Sequence, residues 1–161
     1  MKFIIIIIVI IILIYISCYF IFPPEIQIMQ TTINDFNFSI LYTRQPIVIY
    51  DCVKEKEELI NSWFKYNTIT DINDFNNNHE WIHNKYKFLF ISANDNIEVI
   101  ISKASIYPTI PKETDSIIVI KLQKDQSLIL PYRWKYFIED NNKINVWGIN
   151  DLITSCVSFV F

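Results

Sequence analysis

Ser127-Leu128-Ile129-Leu130-Pro131-Tyr132-Arg133-Trp134-Lys135-Tyr136-Phe137-Ile138-Glu139 holds two short apolar runs on either side of a corner. SLIL and KYFIE have the length and composition of strands. Pro131 lacks an N–H for a ladder, so the first run ends there. Tyr132 and Arg133 turn the chain. Trp134 then drops its ring back onto the interior, where an indole buries about 150–250 Å². Trp147 and Phe137 are expected to join it. Arg133 and Lys135 beside these aromatics could hold an anion, but a solvated rim is the simpler expectation.

The strand signal extends outward from this corner. Upstream lie KYKFLFIS (Lys85–Ser92), a turn at Asn94-Asp95-Asn96, IEVIIS (Ile97–Ser102), the loop YPTIPKETD (Tyr107–Asp115) and SIIVIKL (Ser116–Leu122). KDQ and PYRW separate the runs, and DNN precedes the last one, KINVWGI (Lys143–Ile149). Earlier, Pro46–Tyr50 reads as a short buried strand with Pro at its start. Asp51 can cap a helix reaching about Tyr66, with Leu59, Ile60, Trp63 and Phe64 on one face and a solvated first turn from Lys54 to Glu58. Asn67–Asn78 is polar and reads as loop. Glu25–Tyr42 reads as extended chain, because EIQIMQ and, loosely, FNFSILY alternate apolar and polar residues. The expected fold is mainly β with one or two helices: a strand, a helix, then about six strands with short connections. A small sandwich or barrel suits that order.

The N-terminal residues set the location. Phe3–Phe22 reads FIIIIIVIIILIYISCYFIF, without a charge. Twenty helical residues span about 30 Å, the thickness of a bilayer's hydrocarbon core. Tyr15, Tyr19, Phe20 and Phe22 gather at one end like an interfacial belt, and Pro23 and Pro24 stop the helix there. A cleaved signal peptide has a shorter apolar core and a small-residue cleavage site, and neither is found. The expectation is an N-terminal transmembrane anchor over residues 1–24 and one β domain over 25–161. Lys2, alone ahead of the run, favours a cytosolic N-terminus.

Without Lys2 the chain has 13 basic and 17 acidic residues, a formal charge of −4, which argues against nucleic acid and anionic membrane surfaces as partners. A single glycine, Gly148, with abundant Ile, Asn, Lys, Tyr and Phe, suggests an AT-rich coding sequence. Three cysteines do not make a disulfide scaffold. Cys18 lies in the apolar run. Cys52 and Cys156 pair only if they are close and face an oxidising compartment, and two buried thiols are the favoured expectation. Asn37-Phe38-Ser39 is a glycosylation sequon, relevant if the domain is lumenal.

His79-Glu80-Trp81-Ile82-His83 matches H-E-x-x-H and contains both histidines of the chain. On a helix, histidines four apart share a zinc ion and the glutamate activates its water. The surroundings count against a helix. Asn76–Asn78 precede the motif, and strand-like KYKFLFIS follows it. Of the downstream glutamates that could serve as a third ligand, Glu98 falls in a strand pattern and Glu113 in a loop. The expectation is a surface turn with Trp81 and Ile82 packed inward.

The corner segment resembles JmjC-type cupin-like domains, whose late segment has the form G-D-x-L-x-I-P-x-x-W-x-H. Leu128, Leu130, Pro131 and Trp134 match in register. Arg44-Gln45-Pro46-Ile47-Val48-Ile49 resembles the R-x-P-x-V-I opening of such domains, so the resemblance spans residues 44–149. It implies a double-stranded β-helix, or barrel. Short membrane-anchored chains carrying degenerate copies resemble proteins of large DNA viruses. The family's iron needs two histidines and a carboxylate. Here the late histidine position is Tyr136, and no H-x-D or H-x-E lies on a middle strand. What the resemblance implies is the fold without its metal centre: no cofactor, a structural or protein-interaction role, and contact with membrane through Phe3–Phe22. The alternatives are a zinc peptidase through His79, Glu80 and His83, or a 2-oxoglutarate oxygenase with unrecognised ligands.

Overall fold

A computed structural model describes residues 2–20, 23, 25–52, 56–72, 80–103, 110–111, 115–139 and 143–155, with backbone alone at 15, 16 and 18–20. Ten strands follow one another among these residues: β1 Met29–Thr31, β2 Ile47–Ile49, β3 Thr68–Asp71, β4 Ile82–His83, β5 Phe88–Ala93, β6 Ile97–Ser102, β7 Ile117–Leu122, β8 Ser127–Pro131, β9 Lys135–Ile138 and β10 Ile144–Asn150. They form a six-stranded sheet, β1-β2-β8-β5-β10-β3, and a four-stranded sheet, β4-β9-β6-β7. From β3 onward the pairing is mirrored: β3 with β10, β4 with β9, β5 with β8 and β6 with β7, all antiparallel. The β10–β5 and β9–β6 ladders close the two sheets.

The turn at Asn94–Asn96 is therefore no hairpin. It carries the chain from the larger sheet to the smaller one. Ala93 and Asn94 amides bond to Gln126 and Lys143 carbonyls there, at 2.9 and 2.7 Å. Between the sheets, Leu89, Ile91, Leu128, Leu130 and Val146 meet Val99, Ile101, Ile120, Leu122 and Ile138. The opposite face of the larger sheet presents Ile47, Ile49, Phe90, Ile129, Trp147 and Ile149, covered by Leu41, Ile60 and Phe64. A sheet buried on both faces gives unbroken apolar strands, which is why SLIL shows no alternation.

The cover on that face is a helix, α2 Lys56–Trp63, whose expected face (Leu59, Ile60, Trp63, with Phe64 following) packs inward. Its start at 53–55 lies outside the described residues. Asp51 Oδ1 accepts the Ile33 amide at 2.7 Å, a tie to the preceding loop. FNFSILY is not extended: Phe38–Thr43 is a 3-10 helix. Asn37 Oδ1 takes the Ser39 amide to start it, and Arg44 at φ 56° ends it. Polar Thr68–Asp71, expected as loop, is the edge strand β3. The rest of the Asn67–Asn78 loop from Asn73, most of Tyr107–Asp115, and 140–142 lie outside the described residues.

The register gives the domain two ends. Glu25–Ile28 enter at one end, beside Pro46, the β8–β9 corner, the start of β5 and the finish of β6. The Gln45 amide clasps the entering chain, donating to Glu25 O at 2.7 Å and accepting the Gln27 amide at 3.0 Å. Lys103 Nζ donates to the Pro23 carbonyl. Ahead of this lies α1, Lys2–Phe20, a continuous 19-residue helix. Its Ser17 hydroxyl is satisfied within the helix by Leu13 O at 2.8 Å. Among the described residues no helix is long and apolar enough to cross a membrane. Phe22, Pro24 and the side chains of Tyr15, Tyr19 and Phe20 lie outside them.

Candidate functional site

The β8–β9 corner is held by one side chain. Asn84, just after β4, is buried, and its Nδ2 donates to Leu130 O and Pro131 O at 2.9 and 2.8 Å. Its Oδ1 accepts the Tyr86 amide at 2.9 Å. Its backbone bonds both ways with the corner, to Trp134 O and from the Arg133 amide. These bonds hold Arg133 in the left-handed region, φ 70°, which a non-glycine residue adopts at a cost. Nothing in the sequence marked Asn84. The only signal is a polar residue between two strand-like runs.

That turn aims the following residues. Trp134 is fully buried between the sheets, and its Nε1 donates to Arg44 O at 3.3 Å. Leu128 and Leu130 share its buried cluster, and Pro46 and Pro131 are buried as well. Trp147 and Phe137 do not join it. Trp147 lies on the far face of the larger sheet, 5.9 Å edge-on from Phe90. Phe137 lies on the outer face of the smaller sheet, 6.0 Å from Trp81. One residue's shift along a strand reverses the face.

Tyr136 faces the interior and is 3% exposed. Burial pushes its hydroxyl well above the ordinary tyrosine range, and Tyr86 adds to the rise. Tyr86 lies against the core from the smaller-sheet side and covers Gly148 of β10. Ile82 is opposite Tyr136 in the β4–β9 ladder and packs against the same core. The inner side of this end of the domain is thus built from Tyr86, Ile82, Tyr136 and Trp134.

His83 belongs to the other face. It is paired with Lys135, and both alternate with inward neighbours, Ile82 and Tyr136. Its Nε2 is buried without a hydrogen-bond partner. Burial, then the charges of Arg133 and Lys135, lower its pKa to about 4, so the ring is neutral at pH 7. Lys135 is buried, not a solvated rim residue, and burial lowers its pKa while Asp115 opposes that.

Ile82–His83 are strand β4 and Glu80–Trp81 are not helical, so the helix that H-E-x-x-H requires does not form over these residues. Trp81 packs outward rather than inward. Glu98 is on the rim, 3.0 Å from Lys121. His79, Glu113 and Cys156 lie outside the described residues. Among the described residues no three His, Cys, Asp or Glu side chains gather as a metal site. Cys52 is a buried free thiol whose pKa is raised by burial. Asn37 is exposed, with its Oδ1 engaged as the 3-10 cap. Compared with known families, characterised proteins and solved structures, the chain matches none.

Proposed function

We propose that this chain is a membrane-anchored protein whose cupin-like β domain holds no metal and acts as a structural or protein-binding component, of the kind found in a viral membrane or particle. The observation that carries the metal-free part is the division of faces at β4 and β9. Tyr136 and Ile82 point inward under Tyr86, while His83 points outward. An iron site on the inner face would need ligands where these residues stand.

The fold part is supported by the mirrored pairing of β3–β6 with β10–β7. An antiparallel ribbon rolled in this way is the arrangement of jelly rolls and cupins. The anchor part is supported by the sequence alone: the uncharged apolar run Phe3–Phe22, helical through Phe20, would extend about 30 Å as a helix. The zinc-peptidase alternative has the strand Ile82–His83 and the non-helical Glu80–Trp81 against it.

Metal analysis of the full chain, purified in detergent after growth with added zinc and iron, tests the reading. The expected result is no stoichiometric metal. One equivalent of zinc or iron, lost in His83→Ala, overturns it. Alkaline carbonate extraction tests the anchor: the chain should stay with the membranes, and its release sinks that part.

A further inference from the structure

We propose that the end of the β domain where the chain enters is a membrane-docking face, which rests on anionic lipid headgroups of the bilayer that holds α1. This inference rests on the anchor reading above and on the β domain facing a leaflet that displays anionic lipid, the reverse of the orientation that Lys2 alone favours. Two residues, 21 and 22, lie between Phe20, the last of α1, and Pro23, so the three Cα–Cα steps reach at most about 11 Å. Pro23 is tied to Lys103, and Glu25 and Gln27 are clasped by Gln45. The entry end therefore cannot drift from the bilayer surface by much more than the Debye length of about 8–10 Å.

Charge along the domain is divided accordingly. Arg44, Lys65, Lys85, Lys87, Lys103 and Arg133 stand at the entry end, against Glu25, Asp115 and Asp151. Of these, Lys87 and Asp151 neutralise each other at 2.7 Å. The far end carries Asp35, Asp51, Asp95, Glu98, Asp125 and Glu139. Of its lysines, Lys56, Lys121 and Lys143 each sit within 4.0 Å of one of those acids, at 3.9, 3.0 and 3.9 Å, and Lys124 is exposed in the turn between β7 and β8. The overall negative charge thus conceals a cationic end and an acidic end among the described residues. Tyr42, Tyr66 and Leu152 project at the entry end, 87%, 92% and 83% exposed. Exposed tyrosines flanked by lysine and arginine match the chemistry of a headgroup layer. A second copy of the chain could offer its acidic end instead, but the short tether already holds lipid within reach.

The test uses the full chain in lipid nanodiscs of phosphatidylcholine, with or without about a quarter phosphatidylserine. Hydrogen–deuterium exchange is followed at Tyr66–Asn67, Lys85–Lys87 and Tyr132–Arg133. These segments should exchange about tenfold more slowly in the anionic discs, and Asn94–Asn96 should not change. Salt at about 0.5 M, or the paired substitution Lys65→Glu with Lys85→Glu, should remove the difference. If the chain does not enter discs, the anchor reading fails and takes the inference with it. If it enters but exchanges equally in both lipids, or if the double variant keeps the slowing, the inference alone is overturned. Slowing that follows the number of chains per disc instead of the lipid assigns the face to a second copy and also overturns it.

Discussion

The ring of Tyr86 lies directly on the backbone of Gly148: a Cβ at position 148 would stand 2.4 Å from Cδ1 and Cε1 and 2.6 Å from Cζ. No carbon atom tolerates that approach, so the one glycine of the chain is explained by a contact and not by its φ. Gly148→Ala should lower stability by about 1–3 kcal/mol, as overpacking does. Adding Tyr86→Ala should make the double variant less unstable than the two single losses predict. Chemical denaturation of the four proteins measures this, and strict additivity would refute the contact.

Trp134 is the residue on which the β8–β9 corner packs. Trp134→Ala should cost about 3–5 kcal/mol, a large part of the 5–15 kcal/mol that holds a domain together. Trp134→Phe keeps most of the apolar area but leaves Arg44 O without its Nε1 donor, at a cost of about 1–2 kcal/mol. Melting curves should rank wild type, Phe and Ala in that order. An Ala variant that melts with the wild type would mean the indole is not buried.

Sequence pattern served some parts of this fold and misled on others for physical reasons. Strand positions from Phe88 onward followed from β-branched and aromatic runs, and α2 from its apolar face. Inner and outer positions of the larger sheet did not follow, because both faces are buried. Leu89 and Phe90 are equally apolar, so nothing local says which meets the other sheet. The same ambiguity put Trp147 on the wrong side. β3 was hidden because an edge strand covered only at Ile69 has no apolar period. The crossing at Asn94–Asn96 was hidden because a turn's composition does not reveal whether the strands it joins pair. At the site, the P-x-x-W spacing located Trp134 and Tyr136. Tyr86 and Asn84 were invisible because their roles exist only across the folded chain.

Tyr136→His tests whether the metal centre is missing or merely lacks one ligand. The new imidazole would stand on the inner face opposite Ile82, while His83 stays on the outer face. No second histidine of β4 can reach it, so the variant should bind no Fe(II) in equilibrium dialysis. It should also be less stable by about 1–3 kcal/mol, since a smaller polar ring replaces a buried phenol. One bound iron per chain would refute the division of faces.

His83 gives the fold a dependence on pH with a definite sign. Its folded pKa is about 4, and the unfolded value is the ordinary 6.5. Between these the unfolded chain binds more protons than the folded one, so stability must rise with pH. Above pH 6.5 the ring is neutral in both states and contributes nothing. Stability is lost as pH falls from 6.5 to about 4 and levels off below that, for this group. The first cause is burial, followed by Arg133 and Lys135, with Lys85 weaker. Because the ring is only partly buried, the loss should be about 1–2 kcal/mol instead of the full value of the shift. Denaturation midpoints taken at intervals from pH 7.5 to 4.5 should therefore fall in the wild type and fall less in His83→Leu. Leucine also removes the unpartnered Nε2, so that variant should be no less stable at pH 7.5. His79→Gln serves as the control for the chain's other histidine. Parallel pH profiles for wild type and His83→Leu would show that His83 is not the group responsible.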